Sequence, residues 1–299
     1  PVGFRMNEQT AVNNYFQEDL DLKNVEINTK AQEEFDVFVE KLRAVGINVI
    51  VENDDLLMDT PDSIFPNNWV SFHSNGDVAK YPMFAENRRR ERRDEVFIRL
   101  EEEGFKIENI VDYTSAENEG IFLEGTGSLL LDRVNSKAYC ALSPRANEDL
   151  FIEFCEDFEY TPVIFTANQN VDGKRKQIYH TNVMMCIAEN FVVICLSSID
   201  DKKERKNLLK HLRENQKEVI DITEEQVNAF AGNMLQVKGA KNQLYLVMSS
   251  SAYQSLRKDQ LQKIEKYNPI LHSSLETIET CGGGSARCIM AEVFLPKNK

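Results

Sequence analysis

Apolar residues are spaced in two ways along this chain, one typical of helices and one typical of strands. Residues 30–45 place apolar side chains three and four positions apart and are followed by Gly46, which predicts a helix that ends there. Residues 47–51 are rich in β-branched side chains and predict a strand. The highly charged stretch 87–103 predicts a second helix, and residues 105–111 predict a strand after it.

The same order of elements then recurs along the chain as two strands, a helix and a third strand. The predicted strands cover residues 69–72, 78–83, 105–111, 128–132, 137–142, 161–166, 180–188, 191–196, 218–222, 233–237, 244–248, 270–272 and 289–295. Helices are predicted at 30–45, 87–103, 143–158, 200–215 and 252–267, the third beginning at Ser143-Pro144. Residues 2–6 are expected to pair with 289–295 and so join the two ends of the chain.

One residue precedes or begins the first strand of each unit, and these residues are evenly spaced. They are Asn68, Glu124, His180, Asn233 and Cys288, at intervals of 56, 56, 53 and 55 residues. A fixed period of this size is typical of closed or stacked repeats. We therefore predict one α/β domain over residues 1–299, a five-bladed α/β propeller of ββαβ modules that closes without free sheet edges. The alternative is that the even spacing reflects the choice of these five residues and not a structural repeat.

Closure would bring equivalent positions of the five units to one central space. A carboxylate, an imidazole and a thiol would then converge, and these are the groups used in nucleophilic catalysis. Cys288 follows Gly282-Gly283-Gly284, where backbone amides come close to a thiol at the start of an apolar segment. The alternative for Cys288 is a small core residue, as many free cysteines are. Cys281 does not begin an apolar segment, and we interpret it as structural.

Charge and composition restrict the partners of the chain. The 299 residues carry a formal net charge of −14 with a pI near 4.9, which disfavours nucleic acid and anionic membranes as partners. No apolar run is long enough to cross a bilayer, and six scattered cysteines predict reduced thiols and a cytoplasmic protein. The sequence contains no metal-ligand spacing and no phosphate-binding loop, so we expect no metal and no cofactor. It leaves the oligomeric state open, with a homodimer as one option.

Five short segments resemble motifs of the guanidino-group modifying superfamily, which includes arginine deiminases, dimethylarginine dimethylaminohydrolases and arginine:glycine amidinotransferases. The glycine loop with Cys288 resembles the C-terminal cysteine loop of that superfamily. Glu124-Gly125-Thr126-Gly127 is similar to its Glu-Gly-Gly-Asp turn, and His180-Thr181-Asn182 to its His-x-Asp. Residues 62–68 are similar to an Asp-x-x-Phe-x-x-Asp loop, and residues 143–147 to Ser-x-Arg-Thr-Asn. The nearest resemblance is to bacterial citrulline-utilisation proteins.

The resemblance implies a five-bladed propeller and a catalytic role for three of the residues. Cys288 would attack the central carbon of a guanidino or ureido group and form a covalent intermediate. Glycine-loop amides and a protonated His180 would stabilise its thiolate, and Gly283 of this loop is assigned to substrate binding. His180 would protonate the leaving nitrogen and then activate water, while Glu124 would orient His180 or bind substrate nitrogens. The alternative for His180 is a structural histidine, and for Glu124 a carboxylate that caps a turn.

The departures from these motifs concern the charge around the substrate. Asn68, Asn182 and Gly127 stand where the superfamily has carboxylates. An amide offers both a donor and an acceptor, which suits a neutral ureido group better than a guanidinium cation. The expected substrate is therefore a small amino acid that resembles citrulline first and arginine second.

Four further residues are assigned to substrate binding. Arg145 and Arg88 are candidates for the α-carboxylate because a guanidinium binds a carboxylate through two hydrogen bonds. Arg88 lies in an arginine-rich run that is equally typical of a solvated surface. Asp62 is a candidate for the ammonium group, or a turn residue. Asn233 either lines the site or stabilises the turn at Gly232.

Two other functions remain open at this stage. An amidinotransferase would use the same nucleophile and replace water by an amine acceptor. A propeller that only binds a partner would need no catalytic groups, and a Cys288 that does not react with iodoacetamide would favour it.

Overall fold

The computed structural model describes residues 2–54 and 57–298, which form a mixed α/β fold. In these residues the strands are β1 Val70–Phe72, β2 Asp77–Lys80, β3 Asn109–Asp112, β4 Leu129–Asp132, β5 Lys137–Ala141, β6 Thr161–Phe165, β7 Asn168–Val171, β8 Lys174–Gln177, β9 Met185–Ile187, β10 Phe191–Ile194, β11 Glu218–Asp221, β12 Leu235–Lys238, β13 Leu244–Ser249 and β14 Ile270–Ser273. The α-helices are α1 Glu8–Ala11, α2 Asn24–Ala44, α3 Glu95–Glu102, α4 Gly125–Ser128, α5 Glu148–Asp157, α6 Thr181–Met184, α7 Lys202–Glu214, α8 Glu224–Asn228, α9 Ser250–Ser255, α10 Lys258–Glu265 and α11 Glu276–Gly282.

Four three-stranded sheets share one topology. Their orders are β1-β2-β3, β4-β5-β6, β9-β10-β11 and β12-β13-β14. In each sheet the middle strand pairs antiparallel with the first strand and parallel with the third. A parallel third strand requires a crossover, and helices α3, α5, α7 and the α9–α10 pair lie in these crossovers. The predicted order of two strands, a helix and a strand is thus present in four units.

The fifth unit differs from its prediction. Residues 2–6, 47–51 and 289–295 contain no strand, although their apolar patterns predict three. A strand needs a hydrogen-bonded neighbour, whereas here the carbonyl of Val49 accepts from Arg43 and that of Met290 from Arg287. A cavity of about 860 Å³ lies among the 47–54 and 289–294 segments and the first strands of other units. Among the described residues the four three-stranded sheets and the β7–β8 hairpin remain separate, and none is closed on itself.

Several helix boundaries also differ from the sequence prediction. The predicted 87–103 helix is a 3₁₀ helix at Glu86–Glu91 and then α3, because the backbone at Arg92 is extended. Helix α5 begins at Glu148 rather than at Ser143, and Asn147 caps it by accepting from the amide of Leu150. The 252–267 prediction divides into α9 and α10. The β7–β8 hairpin and helix α11 were not predicted.

The first strands of the second and third units begin later than predicted. Residues 125–128 and 181–184 form the single helical turns α4 and α6 before β4 and β9. As a result Glu124 and His180 precede these turns and are not strand residues. Their side chains are fully buried.

Buried apolar side chains from neighbouring units pack together and stabilise the fold. The largest group of buried apolar side chains combines residues of β5, β6, β9, β10 and α7, where Leu208 and Leu212 lie four residues apart on one helix face. Helix α2 covers α11 and β14 and buries Ile27, Phe38 and Leu42 against Phe4 and Phe65. Phe4, Phe65 and Cys288 belong to this same group, so the candidate nucleophile lies at the edge of a packed core.

Candidate active site

The loop that carries Cys288 begins where α11 ends. Gly283 caps α11 in the left-handed conformation, with φ of 61°, and a Cβ there would lie 2.5 Å from the side-chain amide of Asn14. The chain then turns, and the amide of Cys288 donates to the carbonyl of Ser285 at 2.9 Å. The Cys288 side chain is 3% exposed. The glycines are therefore needed for conformation and for close packing around the thiol.

Two asparagine amides contact the sulfur of Cys288. Nδ2 of Asn233 lies 3.2 Å from Sγ and Nδ2 of Asn182 lies 3.4 Å from it. Asn233 also donates to the carbonyl of Asn182 at 3.0 Å, and its Oδ1 accepts from the amide of Arg287 at 3.0 Å. Oδ1 of Asn182 is buried without a hydrogen-bond partner among the described residues.

Glu124 and His180 form a buried pair. Nε2 of His180 donates to Oε2 of Glu124 at 2.7 Å. Burial would raise the pKa of Glu124, but Arg145, the hydrogen bond with His180 and Arg88 together hold it well below its ordinary value. Burial lowers the pKa of His180 to about 4 despite Glu124. At neutral pH the pair is therefore a carboxylate and a neutral imidazole, in contrast to the protonated His180 that the resemblance implies.

Gly127 lies against the other side of this pair. A Cβ at Gly127 would be 2.3 Å from Nδ2 of Asn68 and 2.8 Å from Nδ1 of His180. Any side chain at this position would displace both groups. The glycine at position 127 thus leaves the space that the Asn68 amide occupies. The superfamily's carboxylate at position 127 would not fit beside this amide.

The two candidate carboxylate-binding arginines are both buried and both bonded to protein atoms. Arg88 donates to both oxygens of Glu91, at 2.8 and 2.9 Å, and to Oδ1 of Asn68 at 2.7 Å. Arg145 donates through Nε to Oδ1 of Asn13 at 2.8 Å, and its Nη1 lies 3.5 Å from Glu124. The interpretation of the arginine run as a solvated surface is wrong for Arg88, which is 2% exposed.

Asp62 connects the site to the N-terminal segment. Its Oδ2 accepts from Asn7 at 2.8 Å and from Thr10 at 3.1 Å, while Oδ1 has no partner among the described residues. Burial raises the pKa of Asp62, although Arg88 and Asn7 oppose that shift. The free oxygen makes Asp62 suitable for a cationic or N–H group of a substrate.

Residues 7–17, which we call the N-terminal cover, close the site. Asn14 donates to the carbonyls of Gly282 and Gly283, at 3.3 and 3.4 Å, and Thr10 offers its carbonyl to Arg145 at 2.8 Å. The remaining cavity is about 10 Å³, close to the space of one water molecule. It is lined by Asn14, Asp62, Phe65, Asn68, Arg88, Arg145, Tyr179, His180, Gly282, Gly284 and Cys288.

The site residues predicted from the sequence therefore lie together, at or next to this cavity. Cys288, His180, Asn68, Asp62, Arg88 and Arg145 line the cavity, Asn182 and Asn233 contact the sulfur, Glu124 binds His180, and Gly283 lies under Asn14. The sequence analysis missed Asn13, Asn14 and Tyr179. Tyr179 donates to the carbonyl of Gly283 at 2.5 Å and lies under Arg145. Its position directly before His180, and the Asn13-Asn14 pair in the first twenty residues, were the available signals.

No group of three or more histidine, cysteine, aspartate or glutamate side chains in residues 2–54 and 57–298 could hold a metal ion. All six cysteines are buried and free. Among the residues that the structure describes, no helix has both the length and the apolar composition that a bilayer crossing requires.

Comparison with known proteins gives one family and several structures of the same fold. The sequence matches the family described as "N,N dimethylarginine dimethylhydrolase, eukaryotic" over residues 1–295. None of the curated sequences compared with the chain matches it significantly.

The structural neighbours share the fold at low sequence identity. ArgZ, described as an arginine dihydrolase from the ornithine-ammonia cycle in cyanobacteria, has a TM-score of 0.73 and 16% identity, covering 100% of this chain and 40% of ArgZ. AgrE with ornithine and NAD⁺ has a TM-score of 0.73 and 17% identity, covering 100% and 39%. A histidine-to-glycine variant of dimethylarginine dimethylaminohydrolase, as an adduct with S-methyl-L-thiocitrulline, has a TM-score of 0.59 and 14% identity, covering 87% of each chain. This chain thus spans about two fifths of the ArgZ and AgrE chains.

Proposed function

Because this chain belongs to the N,N dimethylarginine dimethylhydrolase family of guanidino-group modifying enzymes, we propose that it is a cysteine-dependent hydrolase of a ureido or guanidino amino acid. The observation that carries the proposal is that Cys288 and His180 line one small cavity, where the buried Glu124 is hydrogen-bonded to His180. A nucleophile, a proton-transfer group and a residue that orients it are the parts that covalent hydrolysis requires.

The chemistry proceeds in two steps. The Cys288 sulfur attacks the central carbon of the substrate, the S–C bond forms, and the C–N bond to the leaving amine breaks. His180, neutral at rest, accepts the thiol proton and passes it to the departing nitrogen. His180 then takes a proton from water while the water oxygen attacks the same carbon. The S–C bond breaks, and the proton passes from His180 to the departing sulfur. The ionised Glu124 holds the imidazole in position and stabilises it while it is protonated.

The polar groups of the site favour a neutral ureido group. Oδ1 of Asn68 accepts from Arg88, so Asn68 presents its Nδ2 donor toward Gly127, where it suits a carbonyl oxygen. Oδ1 of Asn182 is an unpaired acceptor that suits an N–H group. A guanidinium has donors only and gains nothing from Asn68 Nδ2. Citrulline is therefore the first substrate that we propose.

Arginine is the second candidate. ArgZ is described as an arginine dihydrolase, and an AgrE variant has been solved with L-arginine, both on the same fold. The free oxygen of Asp62 suits the α-ammonium group of either amino acid. Arg145 suits the α-carboxylate once Asn13 and Thr10 release it.

The proposal includes the arrangement of the units around the site. Five units around one axis would account for the convergence of Asn68, Glu124, His180, Asn233 and Cys288, which the chain spaces evenly. The four sheets of identical topology support this arrangement.

Turnover of the purified protein tests the proposed function. Ammonia release and amino-acid products are measured with citrulline, arginine and dimethylarginine, and a covalent adduct on Cys288 is sought by mass spectrometry. We expect turnover and an adduct, with citrulline preferred. Preference for arginine would reject the ureido assignment. Amidine transfer to added glycine or ornithine would indicate an amidinotransferase, and an unreactive Cys288 with no turnover would indicate a binding protein.

A further inference from the structure

The sulfur of Cys288 has two amide donors, and this contact is separate from the Glu124–His180 pair. The Nδ2 atoms of Asn233 and Asn182 lie 3.2 and 3.4 Å from Sγ, and both asparagines are fully buried. A neutral thiol is a weak acceptor, whereas a thiolate accepts charge-assisted hydrogen bonds that are about twice as strong as neutral ones. Two converging donors at one sulfur therefore favour its anionic form.

The cations of the site are committed to other groups. Arg88 binds both oxygens of Glu91, and Arg145 binds Asn13 and Glu124. His180 donates its Nε2 hydrogen to Glu124, and burial keeps the imidazole neutral at pH 7. Among the described residues neither of the two arginines nor His180 makes a hydrogen bond to Sγ. The negative charge of a thiolate would thus fall on the two amides.

The orientation of Asn233 is fixed by its second hydrogen bond. Its Oδ1 accepts from the backbone amide of Arg287 at 3.0 Å, and a backbone N–H can only donate. Nδ2 must therefore face the sulfur and the carbonyl of Asn182. Arg287 directly precedes Cys288 in the chain, so the side-chain amide of Asn233 bonds both the backbone of this loop and the sulfur of the nucleophile.

We propose that Asn233, together with Asn182, is a catalytic thiolate-binding residue that stabilises the attacking form of Cys288 without a neighbouring cation. The proposal rests on the proposed function, since it assigns the sulfur to nucleophilic attack. In this arrangement His180 stays free of the thiolate and remains available as the proton acceptor. The assignment also gives a reason for an asparagine at position 233 beyond support of the turn at Gly232.

The test measures the ionisation of Cys288 in the absence of substrate. Thiolate absorbance in the ultraviolet is titrated against pH for the full chain and for Asn233→Leu and Asn233→Asp, each against the same protein with Cys288→Ala. The rate of iodoacetamide modification of Cys288 is followed over the same pH range by mass spectrometry. Asn268→Leu is the control, because Asn268 is a buried asparagine whose Oδ1 accepts from Gln236 away from the site.

We expect Asn233→Leu to move the midpoint of both titrations upward by about one pH unit, which is about tenfold less thiolate at neutral pH. Asn233→Asp should move it further, because it adds a negative charge beside the sulfur. The Asn268→Leu midpoint should not move. Unchanged midpoints in both Asn233 variants would overturn the proposal.

A second position keeps the test decisive if the Asn233 variants do not fold. Asn182→Leu removes one of the two donors to the sulfur. Its cost in stability is smaller than that of Asn233→Leu, because Oδ1 of Asn182 makes no hydrogen bond among the described residues. We expect an upward shift of the midpoint there too, and an unchanged midpoint would count against the proposal. Because the titrations need no substrate, a shifted midpoint in a protein that turns over none of the substrates tested would point to a failure of the proposed hydrolase function and not of the thiolate assignment.

Discussion

Most polar atoms of the site have a hydrogen-bond partner, and the buried atoms that have none mark where a ligand fits. Oδ1 of Asp62 and Oδ1 of Asn182 are buried acceptors without partners among the described residues. An unmade buried hydrogen bond costs on the order of 1–3 kcal/mol, so such atoms are retained where a ligand can satisfy them. Both are acceptors, which indicates a ligand rich in N–H groups, as ureido and guanidino amino acids are.

Replacement of Cys288 by alanine should abolish turnover, because the proposed mechanism has no other nucleophile. Replacement of Cys281 by alanine should retain most of it. Cys281 is also buried, and its pKa is raised by burial, so its thiol is poorly suited to attack. Steady-state rates of the two variants check this, and equal losses of activity would contradict the assignment of the nucleophile.

Replacement of Gly127 by alanine should reduce kcat at least tenfold while the protein remains folded. The added Cβ would displace Asn68 Nδ2 and the His180 ring, and small displacements of reacting groups cost rate steeply. The matched control is Gly3→Ala, where the nearest atom would be 4.0 Å away. Wild-type kinetics in the Gly127 variant would show that the packing around His180 is not critical.

At the scale of single elements, the N-terminal cover decides whether a substrate can enter. A cavity of about 10 Å³ cannot hold an amino acid, since small-ligand sites are usually hundreds of cubic ångströms. Asn14 of this cover lines the cavity, so we expect residues 7–17 to move before a substrate binds. Their contacts with the glycine loop are a few hydrogen bonds between polar groups, which can open at modest cost.

Replacement of Asn14 by alanine should speed the modification of Cys288 by iodoacetamide several-fold. The variant removes the donor that holds the carbonyls of Gly282 and Gly283, so the cover opens more often. Thr29→Ala on the exposed side of α2 is the control, since Thr29 bonds only within its own helix. An unchanged modification rate would mean that reagents reach the thiol by another path.

At the scale of the whole molecule, buried polar groups also connect neighbouring units. His73 follows β1 and lies 4.2 Å from the ring of Phe158, just after α5, while Ser71 and Arg133 contact its two ring nitrogens. Burial, together with Arg133, lowers the pKa of His73 to about 3. The first and second units are thus joined through a neutral imidazole.

This contact makes stability depend on pH. Between pH 6.5 and pH 3 the unfolded chain binds a proton at His73 that the folded protein does not, so stability is lost as the pH falls through this range. Chemical denaturation at pH 7 and pH 4 should therefore show a larger loss for the wild type than for His73→Asn. We expect a difference on the order of 3 kcal/mol between the two losses. Equal losses would show that His73 is protonated in the folded protein.

The sequence was a better guide to the residues of the site than to the strands of the fifth unit. Period and residue type predicted that Cys288, His180 and Glu124 converge, and in the structure Cys288 and His180 line one cavity where Glu124 bonds to His180. The strands at 47–51 and 289–295 were wrong, since a strand exists only through hydrogen bonds to a neighbour that the pattern does not specify. The helix predicted to begin at residue 143 begins five residues later, at Glu148, because Asn147 rather than Ser143 provides the cap.

What the sequence determined by itself was the repeat of two strands, a helix and a strand, and the set of thiol, imidazole and carboxylate that the repeat carries. These follow from local spacing and side-chain chemistry, which each segment contains. The tertiary structure decided the protonation of His180, the two amides at the sulfur and the closure of the site by residues 7–17. Those properties depend on burial and on contacts between residues up to 269 positions apart, and no local pattern encodes them.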